Sequence, residues 1–131
     1  MKILKVVLLA TAFGLTGCAA YDESAIPQAE ANYAVAYQQC VSEGKSGLLK
    51  TATDFNNCVM DAQETVFQTI KFAQMGIFDA YRKRTTMLAA DYDAGKINGK
   101  ELGDGIRATS TDFATEVNQV AQLDAQRRQQ A

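Results

Sequence analysis

Residues 55–92 read FNNCVMDAQETVFQTIKFAQMGIFDAYRKRTTMLAADY, and this stretch decides the fold. Its apolar positions recur every three or four residues, which is the repeat of one face of an α-helix. They are Phe55, Val59, Ala62, Val66, Ile70, Ala73, Ile77, Tyr81, Leu88 and Tyr92, with polar Thr85 in the gap. No proline interrupts the pattern. We therefore predict one long helix that begins between residues 48 and 54, ends near Ala94 and is about 60 Å long at 1.5 Å per residue.

Gly76 is the weak point of this predicted helix, because glycine costs about 1 kcal/mol relative to alanine in a helix interior. A kink at Gly76 is therefore the alternative to a straight rod. Small residues such as Gly76 and Ala80 also allow another helix to approach closely. We predict that Ala73, Gly76, Ile77 and Ala80 form an exposed apolar surface that docks a partner protein or a second copy of the chain. The alternative is that neighbouring helices bury this surface completely.

Two shorter helical patterns flank the long one, over residues 27–43 and 99–128, and short turns make neighbouring helices antiparallel. The first face consists of Ala29, Tyr33, Ala36, Tyr37 and Cys40. The second consists of Leu102, Ile106, Phe113, Val117, Val120 and Leu123. The Tyr33/Tyr37 stripe fits either a core face or a binding surface. The predicted fold class is all-α, an elongated antiparallel three-helix bundle with one long central helix, formed by residues 27–131.

The N-terminal residues have the composition of a secretory signal peptide. Lys2 and Lys5 form a short positive region, and an apolar run of about ten residues begins at Val6. This run is too short to span a bilayer, which requires roughly 20 apolar residues. Residues 1–17 are therefore predicted to be a signal that directs export.

The segment Leu15-Thr16-Gly17-Cys18 resembles the cleavage box of bacterial lipoprotein signal peptides. The resemblance implies cleavage before Cys18, a diacylglyceryl thioether on Cys18 and acylation of the new N-terminus. Ala19 after the cysteine resembles an outer-membrane sorting signal, so the expected location is the periplasmic face of the outer membrane. Residues 18–26 are then expected to form a short, lipidated, polar tether. The alternative is an ordinary secreted protein, in which Cys18-Ala19-Ala20 serves as a small-x-small site for the general signal peptidase.

Cys40 and Cys58 are the remaining cysteines, and residue 49, midway between them, lies in the predicted turn region. Residues equidistant from the turn of an antiparallel hairpin lie opposite one another. Export to an oxidising compartment favours a bond between such a pair. We predict a Cys40–Cys58 disulfide, with two buried free thiols as the alternative. A redox role has little support because the chain has neither a Cys-x-x-Cys motif nor a histidine.

Residues 91–101 resemble an EF-hand loop, with Asp91, Asp93, a glycine turn and Glu101 between two helices. One residue is missing between Asp93 and Gly95, and the third side-chain ligand is missing with it. We therefore predict a plain connection between helices, with Asn98 as the N-cap of the next helix, and neither a tight calcium site nor another metal or cofactor.

Charge and composition limit the function further. Without Lys2 and Lys5, the chain has eleven basic and fifteen acidic residues. The resulting net charge of about −4 argues against a nucleic-acid partner. Carboxylate pairs such as Asp61 with Glu64 are typical of solvated helix faces, so we do not expect an enzyme. We expect a lipid-anchored structural or protein-interaction module of the cell envelope. The alternative is a pilot-like, chaperone-like or inhibitor lipoprotein for an envelope assembly, since secretin pilots are similar in size, lipidation and helical architecture.

Overall fold

A computed structural model describes residues 21–130, and these residues form four α-helices after a short 3-10 helix at Glu23–Ala25. The helices are α1 (Ile26–Lys45), α2 (Ala52–Thr69), α3 (Met75–Asp93) and α4 (Gly99–Gln130). This described part contains no strand, and the predicted all-α class is confirmed. The bounds of α1 and α4 lie within two residues of the predicted ones.

The predicted long central helix is wrong, because the chain turns back on itself between Thr69 and Met75. Ile70 and Phe72 are both buried in the core, at 2% and 6% exposure. Residues two apart on a continuous helix point about 200° apart, so both would not face one core. Reversing the chain buries both side chains. The break therefore lies before Gly76, which belongs to the first turn of α3.

The end of α2 is a Schellman motif in which a lysine occupies the position usually held by glycine. The amide of Lys71 donates to the carbonyl of Gln68 (3.1 Å), and the amide of Phe72 donates to that of Phe67 (2.9 Å). Lys71 has the left-handed φ of 55° that this motif requires. The rings of Phe67 and Phe72 lie 5.3 Å apart and supply the apolar contact that accompanies the motif. This contact offsets the roughly 1–2 kcal/mol that a left-handed non-glycine residue costs.

The helices pack in chain order, α1 on α2, α2 on α3 and α3 on α4, and each pair is antiparallel. Phe67 of α2, Phe78 and Tyr81 of α3, and Phe113 of α4 meet at the centre of the core, each at most 2% exposed. The Tyr81 and Phe113 rings stack at 4.6 Å, and Phe67 meets Phe113 edge-on at 5.4 Å. The predicted three-helix rod is thus replaced by a four-helix bundle, in which two helices, α2 and α3, take the place of the long central one.

The predicted polar tether is also corrected where the structure describes it, over residues 21–26. Tyr21 is only 6% exposed and belongs to the core. The amide of Asp22 donates to the carbonyl of Ile70 (2.6 Å) in the α2–α3 turn. The Asp22 carboxylate accepts from the amide of Ser24 (3.0 Å) and caps the short 3-10 helix. These residues are therefore docked on the end of the bundle that contains the α2–α3 turn.

Candidate functional site

The predicted lipid-attachment residue, Cys18, and the predicted signal peptide lie outside the described residues. Their lipidation and cleavage remain predictions. The first described residue, Tyr21, follows Cys18 after only Ala19 and Ala20. Because Tyr21 and Asp22 are docked at the α2–α3 turn, the described part of the chain begins at that end of the bundle.

Cys40 of α1 and Cys58 of α2 form a disulfide, with their Cα atoms 5.8 Å apart. Cys40 is 2% exposed, and Cys58 is half-buried. The bond joins the two helices near their shared turn, where the antiparallel hairpin places these residues opposite each other. The predicted pairing is confirmed, and the position of the bond within the α1–α2 contact indicates a structural role.

A chain of buried polar side chains takes one residue from each helix: Tyr33, Gln63, Tyr81 and Ser110. The Gln63 amide donates to the Tyr33 hydroxyl (3.5 Å) and also interacts with the Tyr81 hydroxyl. The Tyr81 hydroxyl lies 3.2 Å from that of Ser110, and either oxygen can be the donor. Burial raises the pKa of both tyrosines, so the chain is uncharged at neutral pH. Because the chain takes one side chain from each helix, it favours one relative register of the four helices.

Of the two tyrosines in the predicted stripe, Tyr33 belongs to the core and is 3% exposed, whereas Tyr37 is half-buried at its edge. The apolar periodicity of the sequence does not indicate Gln63 or Ser110. Both could have been recognised as polar residues next to the apolar positions of their helices. Gln63 follows Ala62, and Ser110 lies between Ile106 and Phe113. Buried polar side chains require partners, so such positions predict contacts between helices.

Thr85, the polar interruption in the apolar pattern of residues 55–92, has a partner as well. The side-chain amide of Asn56 donates to the hydroxyls of Thr85 and Thr86, at 3.3 Å each. The Thr85 hydroxyl in turn donates to the carbonyl of Arg82 (2.9 Å). Thr85 is completely buried, and Asn56 is 7% exposed. This second polar contact ties the start of α2 to the second half of α3.

The predicted partner surface is open to solvent. Ala73, Gly76 and Ala80 are exposed, and Ile77 is half-buried. A Cβ atom at Gly76 would have no heavy atom of another residue within 4 Å. Ala73 lies in the α2–α3 turn, and the other three residues lie in the first turns of α3. The alternative in which neighbouring helices bury this surface is therefore excluded, while its binding of a partner remains a prediction.

Residues 94–98 connect α3 to α4, and the side chains on either side of this turn cap two helices. The Asp93 carboxylate caps α2 with both oxygens: Oδ1 accepts from the Ala52 amide (2.8 Å), and Oδ2 accepts from the Thr53 amide (2.9 Å) and hydroxyl (2.6 Å). At the start of α4, the Asn98 Oδ1 accepts from the Glu101 amide (2.8 Å), and the Glu101 carboxylate accepts from the Asn98 amide (3.1 Å). The predicted N-cap at Asn98 is confirmed as half of a reciprocal capping box.

The other acidic pair binds an arginine instead of facing a cavity. Arg82 of α3 forms ion pairs with Asp61 (2.7 Å) and Glu64 (3.4 Å) of α2. These carboxylates therefore link two helices across their surface. Among residues 21–130, no group of three or more acidic or cysteine side chains is placed to hold a metal ion.

A shallow groove of about 280 Å³, a volume that includes open solvent, runs between α1 and α2. Its lining is mostly apolar and contains no carboxylate or cation. The lining residues are Ala29, Asn32, Tyr33, Ala36, Ala62, Thr65, Val66 and Thr69. The groove's one ionisable side chain is that of Tyr33, whose hydroxyl accepts a hydrogen bond from Gln63.

The chain matches no protein-family model, no curated protein and no solved structure. Within residues 21–130, no helix combines the length and the apolar character needed to cross a membrane.

Replacing Asp93 with asparagine is expected to lower the melting temperature at neutral pH, because the cap of α2 loses its charge. Hydrogen bonds, chiefly from Thr53, lower the pKa of Asp93 in the folded protein from its ordinary value of 3.8. Its contribution to stability is therefore fully present above that ordinary value and is lost as the pH falls through the lower, folded-state pKa. Thermal melts from pH 7 to pH 2, followed by circular dichroism, measure this dependence.

The matched control is Asp91→Asn, at a residue on the same helix end that lies outside the cap. The difference in melting temperature between the parent and Asp93→Asn should shrink as the pH falls below the ordinary pKa of aspartate. A difference of constant size down to the lowest pH would show that the Asp93 charge does not stabilise α2.

Proposed function

We propose that the protein is a small lipoprotein of the cell envelope, anchored by acyl chains on Cys18, whose helical domain is a structural or protein-interaction module. The observation that carries the proposal is the segment Leu15-Thr16-Gly17-Cys18 directly after an apolar run. The disulfide supports export, since such bonds persist in oxidising compartments, and it accounts for both cysteines other than Cys18. Acylation of Cys18 would leave no free thiol in an oxidising compartment.

The interior of the domain supports an interaction role over a chemical one. Its buried polar groups, including Tyr33, Gln63, Tyr81 and Asn56, bind one another across helices. Its carboxylate pair, Asp61 and Glu64, binds Arg82. The groups that can meet another molecule are on the outside, and the open surface on α3 is the one that we propose for a partner protein or a second copy. Ala19 after Cys18 favours the periplasmic face of the outer membrane.

The lipid anchor is tested by Cys18→Ser in the full chain. Cells labelled with a clickable fatty acid should label the parent protein and not the variant, and the variant should leave the membrane fraction. A control variant with Cys40 and Cys58 both replaced by alanine should keep the label if it accumulates, since these residues are bonded to each other. Equal labelling of the parent and Cys18→Ser would refute the anchor.

The partner surface is tested by Gly76→Leu. The open space around Gly76 accommodates the side chain, and leucine has a higher helix propensity than glycine, so the melting temperature should be unchanged or higher. Crosslinking to envelope neighbours should decrease, because the larger side chain prevents close approach of another helix. Both quantities are measured on the same lipidated protein.

Gly103→Leu is the matched control, because a Cβ atom at Gly103 of α4 also meets no neighbouring atom within 4 Å. It should leave crosslinking at the level of the parent. If Gly76→Leu crosslinks as the parent does, or if both variants lose crosslinking equally, the surface on α3 is not the docking site.

A further inference from the structure

We infer that the bundle stands with its α2–α3 turn toward the membrane and that the last turns of α4 lie among the phospholipid headgroups. The inference rests on the proposed lipidation of Cys18 and adds the orientation of the domain and the surface that meets the lipid. Three observations carry it: the docking of residues 21–22, the register of α4 on α3, and the side chains exposed at that end.

The docked N-terminal residues set the distance between the anchor and the bundle. Tyr21 is buried beside the α2–α3 turn, and the Asp22 amide binds the Ile70 carbonyl. A chain extends at most about 3.6 Å per residue, so the Cα atom of Cys18 lies within about 11 Å of that of Tyr21. Acyl chains on Cys18 lie in the bilayer, and this end of the bundle is therefore held at its surface.

The register of α4 on α3 shows that α4 projects from the same end. Phe113 stacks on Tyr81, and Met75, the first residue of α3, is six residues before Tyr81. In an antiparallel pair, Met75 is therefore level with about residue 119. Residues 120–130 continue past the start of α3 for about 16 Å at 1.5 Å per residue.

Burial along α4 shows how much of this projection the bundle covers. Ala121 is 1% exposed and belongs to the same buried cluster as Tyr21 and Phe72. Ala125 is half-buried, while all residues from 126 to 130 are exposed. Ala121 is therefore the last fully buried residue of α4, and the residues after Ala125 lie beyond the part of α4 that the bundle covers. With Cys18 in the bilayer, they are the part of the domain that reaches the headgroups.

The exposed side chains at this end suit a headgroup layer. Leu123 is 52% exposed, and Arg127 and Arg128 are exposed near the tip of α4. Long arginine side chains place their charge at phosphate oxygens while their stems cover apolar surface. Asp124 pairs with Arg127 (3.8 Å), and the Asp22 carboxylate accepts from Ser24, while Glu23 is exposed. Arg127 and Arg128 are the last charged side chains of α4.

The opposite end of the domain consists of the turns at residues 46–51 and 94–98. Leu48 is 73% exposed there. The 19-residue α3 separates the two ends by about 28 Å. Leu48 and Leu123 are thus two exposed leucines at opposite ends of one rigid bundle, and they give a matched pair of probe positions.

The orientation is tested with single-tryptophan variants, since the chain contains no tryptophan. Leu123→Trp and Leu48→Trp are made in the full, lipidated chain and reconstituted into vesicles of phosphatidylethanolamine and phosphatidylglycerol. A fraction of the lipid carries a nitroxide quencher on its headgroup. Quenching should be several-fold stronger for Leu123→Trp than for Leu48→Trp. Each tryptophan variant is also compared with its unlipidated form, which carries Cys18→Ser and is measured without detergent. Lipidation should shift the emission to shorter wavelength for Leu123→Trp only. Thermal melts confirm that both variants are folded.

Equal quenching of the two variants, or stronger quenching of Leu48→Trp, would overturn the inferred orientation while leaving the lipid anchor in place. Sedimentation of the vesicles reports the anchor separately. Protein that remains in the supernatant and takes up no fatty-acid label would refute the proposed lipidation, and the orientation with it.

Discussion

Replacing Phe67 with alanine should lower the free energy of unfolding by about 3–5 kcal/mol, the range for removing a fully buried phenylalanine ring. Phe67 is 2% exposed, and its ring meets those of Phe72, Phe78 and Phe113 at 5.2 to 5.4 Å. It therefore joins α2, α3, α4 and the turn between α2 and α3. Such a loss is a large fraction of the total stability of a small domain, roughly 5–15 kcal/mol.

Urea denaturation followed by circular dichroism measures this effect. Tyr92→Ala is the control, because Tyr92 is 41% exposed and its truncation should change the free energy of unfolding by less than about 1 kcal/mol. The test also distinguishes the two architectures. In a continuous central helix, Phe67 and Phe72 would lie on different faces, so a loss for Phe67→Ala no larger than that of the control would contradict the four-helix core.

Removal of the disulfide should cost about 3 kcal/mol, the chain-entropy estimate for a loop of this length. The bond joins residues separated by 18 positions, and its loss frees α1 from α2 in the unfolded chain. The variant is Cys40→Ala combined with Cys58→Ala, because replacement of one cysteine alone would leave a free thiol. Urea denaturation of the soluble domain with Cys18→Ser measures the difference.

Reduction provides an independent control for this prediction. A reductant should shift the unfolding midpoint of the parent toward that of the double variant and should leave the double variant unchanged. Alkylation of the denatured, unreduced exported protein should add no label at either cysteine. Two reactive thiols in the exported protein, or a parent insensitive to reductant, would show that the bond does not stabilise the domain.

The inferred membrane contact and the proposed partner surface use different parts of the domain. The inferred headgroup contact uses the last turns of α4, whereas the proposed partner surface lies on the first turns of α3. Both are near the α2–α3 turn, so a protein partner at Gly76 and Ala80 would bind close to the membrane surface. The Gly76→Leu variant and the tryptophan pair separate these two roles, since each changes a different face.

Local signals in the sequence determined several features of the structure correctly. Regular three- and four-residue spacing predicted α1 and α4 within two residues at each end, because an amphipathic helix needs its apolar side chains on one face. Asn98, a residue type favoured at N-caps, predicted the start of α4, and the structure adds its reciprocal hydrogen bonds with Glu101 three positions on. The Cys40–Cys58 pair followed from symmetry about a short turn. Each of these features depends on residues near one another in the chain or across one turn.

Only the tertiary structure decided where the long apolar pattern breaks. The repeat of residues 55–92 continues through the α2–α3 turn, so periodicity alone cannot distinguish one helix from two that share a core. The sequence gives no sign of the turn at Lys71, because lysine is a common helix residue and glycine usually occupies this left-handed position. The contacts of Phe67 with Phe72 and Phe78 offset the free-energy cost of the left-handed Lys71, and these contacts form only after the chain has reversed direction. The docking of Tyr21 at the same turn could not be predicted locally either, because Tyr21 belongs to a core formed by residues distant from it in the chain.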